Sequence, residues 1–394
     1  MDPNESHGSP GAAALAAAFA PTYADARRRF VAAAQARSLA VERHVHPHVR
    51  GAQGEELSID VALLGDPHAP SLLVITSAMH GVEGFGGSGC QVALLAEPMI
   101  AAAMHGGVAA ATSEDIAILF VHAVNPYGFS HLRRANEDNV DLNRNFRDFS
   151  VQPPPNEGYA AVHALLVPDE WPPTTDNTAA LGAHLARHGA ARMQAAVSSG
   201  QSEFPDGLFY AGHAPAWSNT VLRDILRRHG SGRARLAWID LHTGLGAWGH
   251  GERIHSGPND AVALARNRAW YGDDVTTVYD GTSTSAEASG VAYDAALASC
   301  PGAQYTGIVV EFGTQPLARI LQALRADQWL ANHPRTESLL ADAIRPQMRE
   351  SFYDDSDTWR GLVYGQARAT VLQALRGLCG PLAADDARRQ SWAQ

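Results

Sequence analysis

The chain has 394 residues, of which 45% are hydrophobic and 18% charged, enough apolar material to bury a large core. Its 30 basic residues, all arginine, stand against 41 acidic ones for a formal charge of -11, which argues against a nucleic acid or an anionic membrane as partner. Cys90, Cys300 and Cys379 are too few and too scattered for a disulfide framework or a cysteine-rich metal site, which fits a reducing compartment.

Residues 1–22 read as a flexible N-terminal arm: the apolar run from Ala12 to Ala20 follows Asp2 and Glu5 instead of basic residues and is too short to span a bilayer. The remainder, 23–394, reads as one catalytic domain whose final part, 320–394, is helical, and a cytoplasmic location is expected. Tyr23 to Ser38 has helical spacing, and Leu57 to Leu64 alternates as a strand. Between them, His44, His46 and His48 share one face of an extended segment, but Pro47 marks an exposed edge and a solvated face explains them better than a ligand set. Ser71 to Ser77 and Ile116 to Val124 read as buried strands, with Gln91 to Met104 as the helix between. Pro-rich Val151 to Gly158 and Val167 to Thr175 read as surface loops, Trp217 to His229 as a helix, and Arg235 to Leu241 as another strand. Thr282 to Gly290 reads as a mobile polar loop and Ile308 to Glu311 as a last strand, followed by helices over Leu317 to Ala326, Leu339 to Met348 and Asp357 to Leu378. This alternation predicts an α/β fold: a mixed, twisted central sheet flanked by helices, with a helical C-terminal extension.

Ligands in such sheets gather at the carboxyl ends of strands, and His80, Asn125, His242 and Glu311 all fall at or just beyond such ends. His80 and Glu83, three positions apart in a strand-to-helix turn, can aim an imidazole and a carboxylate at one ion, and His242 arrives from a distant strand. Three protein ligands leave one coordination position open, the mark of a catalytic zinc as opposed to a structural one. Taken singly, each histidine reads more readily as a hydrogen-bonded core residue and Glu83 as a helix N-terminal acid. Glu311, ending a nearly uniform apolar strand, requires a compensating ion or partner.

The segment Gly84-Phe85-Gly86-Gly87-Ser88-Gly89 satisfies the dinucleotide-binding pattern, yet the next strand ends in Asn125 with no acid for a ribose. The glycines are better explained as allowing a helix to pack closely under the His80 loop. Ser88 lacks the frame of a nucleophile elbow.

The polar stretch from Arg133 to Phe146 supplies arginines and amides suited to gripping a carboxylate and stabilising an oxyanion. With these residues in hand, the chain resembles the zinc carboxypeptidase superfamily from about His80 to Thr314, in particular a bacterial branch classed as domain of unknown function 2817. The resemblance implies a zinc carboxypeptidase-like fold and one zinc ion per chain, held by His80, Glu83 and His242. It further implies Arg134 as the carbonyl-polarising group, Asn143 and Arg144 as the anchor for a substrate carboxylate, Asp141 as the residue orienting a zinc histidine, and Glu311 as the general base. No tyrosine matches the superfamily's substrate-capping position by motif.

The expected activity is zinc-dependent hydrolysis of an amide or peptide bond in a small substrate with a free carboxylate. The nearest alternative is deacylation of N-acyl amino acids, because succinylglutamate desuccinylases and aspartoacylases resemble the same motifs, including Asp240-Leu241-His242. Those enzymes append a C-terminal β domain, whereas helices are expected here. A catalytically silent carboxylate-binding protein is the alternative of another class, with intact Arg134 and Glu311 against it.

Overall fold

The computed structural model describes residues 11–104, 115–336 and 338–380, so residues 1–10 of the expected arm and 381–394 of the expected helical part lie outside the described residues. Seven strands build one sheet: β1 (Val41–Arg50), β2 (Glu56–Leu64), β3 (Ser71–Ser77), β4 (Ile116–His122), β5 (Arg235–Gly244), β6 (Gly251–His255) and β7 (Gln304–Gly313). Their order is β1-β2-β4-β3-β5-β7-β6; the four central strands β4, β3, β5 and β7 run parallel, while both flanks are antiparallel.

The central strands are apolar on both faces because helices cover both. Alternate side chains enter opposite cores: Leu73, Ile75, Ile239 and Leu241 join one, and Leu72, Val74, Leu236 and Trp238 the other. The Gly84–Ala96 helix lies against the first face. Its glycines are needed there: a Cβ on Gly87 would lie 2.9 Å from Ser77 Cβ, and one on Gly89 2.2 Å from the Phe19 ring. The dinucleotide-like pattern is thus a packing device. Ser88 is buried, with its hydroxyl 2.8 Å from His122 Nε2.

The structure departs from the sequence reading in several places. Ala18, Phe19 and Ala20 are buried in the core, so this end of the supposed arm is part of the packed body. The expected Gln91 to Met104 helix starts earlier, at Gly84, and breaks at Glu97 before a separate Pro98–Met104 helix, since proline disfavours helical backbone in the residue before it. β1 is the edge strand that Pro47 suggested, with its register shifting between Val45 and Arg50. His46, however, is buried, 3.0 Å from Glu137 and with its ring 4.5 Å from that of Trp217, tilted by 56°. Helices Leu317–Asn332, Ser338–Phe352 and Asp357–Cys379 follow β7. No described helix is long and apolar enough to cross a membrane.

Candidate active site

After β3, Ala78 adopts φ 56° and turns the chain out of the sheet, so that His80 caps a short 3-10 turn, Gly81–Glu83, that runs directly into the Gly84–Ala96 helix. The turn is bonded to the next loop through its backbone: Gly81 N donates to Arg134 O (3.2 Å) and Val82 N to Arg133 O (2.9 Å). His242 and Glu311 lie inside β5 and β7, two residues before each strand ends, and face one another in register. Parallel neighbours in register share a face, and the same period of two puts Asp240 beside His242.

These elements bring the sequence-predicted residues together. His80 Nδ1 is 2.8 Å from Glu83 Oε1 and His242 Nδ1 is 3.0 Å from Glu83 Oε2, so both imidazoles aim the same nitrogen at one carboxylate. One potential ligand atom from each of the three residues lies within 4.8 Å of the others, and all three are buried. Arg134 joins through Nε to Asp141 (2.9 Å) and Nη1 to Glu83 (3.4 Å). Asn143 and Arg144 line the same cavity. Arg144 donates to Ser198 O through Nε (2.8 Å) and to Asn143 O through Nη1 (2.7 Å), while Asn143 Oδ1 accepts from Ala292 N (2.9 Å). The Phe209 ring lies under both guanidiniums, 4.7 Å from Arg134 and 5.8 Å from Arg144.

The donor set suits a divalent cation. Ligating histidines usually pass their second ring N–H to a carboxylate, which fixes the tautomer. His242 Nε2 is 2.8 Å from Asp240 Oδ2, and His80 Nε2 is 3.3 Å from Asp141 Oδ1. Arg134 Nη2 is also 2.8 Å from His80 Nε2, a contact that suits the other tautomer. Charge points the same way. Burial and the adjacent Glu83 push the Glu311 carboxyl up to about 8, with Leu245 N–H donating to it at 2.8 Å and no ion-pair partner for it among the described residues. Burial alone would also raise Glu83 and lower His242, but the imidazole charges hold Glu83 low, and Asp240 and Glu83 hold His242 high.

Asp240 was not singled out from the sequence as part of the site. Its carboxylate joins a chain in which Trp238 Nε1 donates to Thr76 Oγ1 (2.7 Å) and Thr76 donates to Asp240 Oδ1 (2.6 Å). Its position two before His242 was the available signal. Asp240→Asn is expected to weaken divalent-metal affinity by about 10–100-fold at unchanged stoichiometry; an isotherm equal to wild type would remove Asp240 from the site. Tyr279 and Tyr293 also reach the cavity, with their hydroxyls 3.1 Å apart.

The fold and site together define an α/β protein with a buried two-histidine, one-glutamate cluster whose geometry could hold a metal ion. The family described as "Protein of unknown function (DUF2817)" matches residues 19–366, and the chain belongs to that family. No curated protein matches it. Among solved structures, it is similar to carboxypeptidase A from Helicoverpa armigera at 14% identity, over 90% of this chain and 74% of that one, with a TM-score of 0.41. It is likewise similar to a metallo-carboxypeptidase from Pseudomonas aeruginosa (14% identity, 90% and 69%, TM-score 0.43). A succinylglutamate desuccinylase from Silicibacter sp. is 12% identical over 75% of this chain and 66% of that one, with a TM-score of 0.35.

Proposed function

We propose that the protein is a zinc-dependent hydrolase of an amide bond in a small substrate that carries a free carboxylate. The observation that carries this reading is the placement of Glu311: a buried carboxyl, without an ion-pair partner among the described residues, lining the same cavity as the His80–Glu83–His242 group and Arg134. A zinc ion bound by His80, Glu83 and His242 would supply Lewis acidity to the scissile carbonyl and to water. Glu311 takes the proton of the attacking water and returns it to the departing nitrogen. Arg134 offers N–H donors to the oxyanion. Arg144, with part of its fork committed to Ser198 and Asn143, presents its remaining donors with the Asn143 amide to the substrate carboxylate.

Deacylation of N-acyl amino acids uses the same groups and is the second reading, favoured by the apolar character of the cavity beyond them. The test is amine release from a panel of peptides with free C-termini and N-acyl amino acids, with zinc and with a chelator. Release that stops with chelator and returns with zinc is expected, and the responding half of the panel distinguishes the two readings. Zinc-replete protein that releases amine from neither half would sink both.

A further inference from the structure

Phe209 stands apart in its segment. Its backbone has φ 53°, a left-handed conformation that a bulky side chain adopts only at a cost. The left-handed positions on either side, Gly200 (φ 94°) and Gly212 (φ 76°), are glycines, the residue that takes this conformation without strain. The backbone around Phe209 is held from three directions: Leu208 N donates to Tyr159 Oη (2.6 Å), Gln201 N to Phe209 O (3.2 Å) and Asp141 N to Tyr210 O (2.8 Å). Leu208 and Tyr210 are buried, whereas Phe209 between them is half-buried and lines the cavity. Strain that the surroundings enforce in this way gathers where a side chain must be aimed.

The ring is aimed at two arginines with different work in the proposed reaction. Its centroid lies 4.7 Å from the Arg134 guanidinium carbon and 5.8 Å from that of Arg144. Two cations beside one another repel, and an aromatic face attracts both. Guanidiniums, being planar, also stack on such a face, which fixes their orientation. The rest of the support is arranged around the same pair. Asp141, whose N–H holds Tyr210, accepts from Arg134 Nε at 2.9 Å. Arg144 donates to the carbonyls of Ser198 (2.8 Å) and Asn143 (2.7 Å), and its stem passes close over Gly200, where a Cβ would lie 2.9 Å from Arg144 Cδ.

We propose that Phe209 is a positioning residue: its ring, turned into the cavity by the left-handed backbone, fixes the two guanidiniums relative to each other. It thereby sets the span between the donors offered to the oxyanion and those offered to the substrate carboxylate. The proposal rests on the hydrolytic reading above. Its consequence is that one substitution, at a residue that supplies no metal ligand and no proton, alters binding and turnover together.

The test compares Phe209→Leu, which keeps apolar bulk without a π face, with Phe209→Tyr, which keeps the face. Kd for acetylglycine is measured by calorimetry on the zinc-loaded proteins in a Glu311→Gln background. The constants kcat and KM are measured on whichever amide of the panel above is cleaved, and stability by denaturant titration. In Phe209→Leu, Kd and KM should rise and kcat should fall, each by about 3–30-fold, the range of cation–π contacts from exposed to desolvated. Zinc stoichiometry should be unchanged, and Phe209→Tyr should recover most of the loss. A packing role alone predicts a lower denaturation midpoint with wild-type Kd, KM and kcat in the folded protein, and that result would overturn the proposal. So would a loss in Phe209→Tyr as large as in Phe209→Leu; turnover in either case would leave the hydrolytic reading standing. The expected Kd pattern in a protein that cleaves no amide would support the positioning role and sink hydrolysis. Absence of acetylglycine binding by the parent Glu311→Gln protein would overturn the proposal, since Arg144 would then anchor no carboxylate.

Discussion

Glu311→Gln is expected to lower kcat by about two to four orders of magnitude, the range that positioned proton transfer contributes, while zinc stoichiometry and fold remain those of the wild type. Glutamine keeps the shape and can still accept the hydrogen bond from Leu245 N–H, so the packing around β7 has no reason to change. What is lost is the carboxylate to which the proposed proton transfer is assigned. His242→Ala should give the complementary result, loss of zinc together with activity, because it removes one of the two imidazoles aimed at Glu83. Kinetics and metal analysis on the two variants separate proton transfer from metal holding. Undiminished turnover in Glu311→Gln would assign the proton transfer elsewhere.

The second large effect is expected from Gly81→Ala. A Cβ at this position would lie 2.1 Å from the carbonyl carbon of Gly128 and 2.2 Å from the nitrogen of Phe129, both backbone atoms that cannot rotate away. Overpacking costs about 1–3 kcal/mol where side chains can yield, and here the loop itself must move, so the loss should reach or exceed the upper end. The displaced loop carries His80 and Glu83 with it, so zinc affinity should fall as well. Gly182→Ala is the control: it lies in the Thr175–His188 helix, a Cβ there meets nothing within 4 Å, and alanine should be neutral or stabilising by up to about 1 kcal/mol. Denaturant titration and a zinc isotherm read both effects, and equal stability of the two variants would refute the steric argument.

The central strands were legible because parallel strands covered on both faces are almost continuously apolar, and the expected strand Ser71 to Ser77 coincides with the observed one. The same cue failed at polar residues inside strands. β5 was expected to stop at Leu241, but it continues through His242 and Thr243 to Gly244, since a site placed on a strand interrupts its hydrophobic run. Had the strand been extended, the period of two would have put Asp240 beside His242. The Thr175–His188 and Ala190–Ser198 helices were not anticipated: the first buries no residue and the second only Met193 and Val197, so they contribute little to the core. Their role in enclosing the cavity depends on tertiary placement. His80, Glu83, His242 and Glu311 stood out because charged and imidazole side chains directly after apolar runs need a reason to be there.

His242 and Glu311 are in-register neighbours on β5 and β7, so their separation is set by the spacing of the sheet, about 4.8 Å between strands. The residues that shape the rest of the cavity come from helices and from the segment after β6, none of which sets that spacing. The molecule therefore divides into a fixed gauge and an interchangeable fitting. Insertions or substitutions around 185–198 and 278–293 can reshape the cavity lining without altering the separation of His242 and Glu311. A designer seeking a new cavity shape would leave the strands alone and rebuild those two segments.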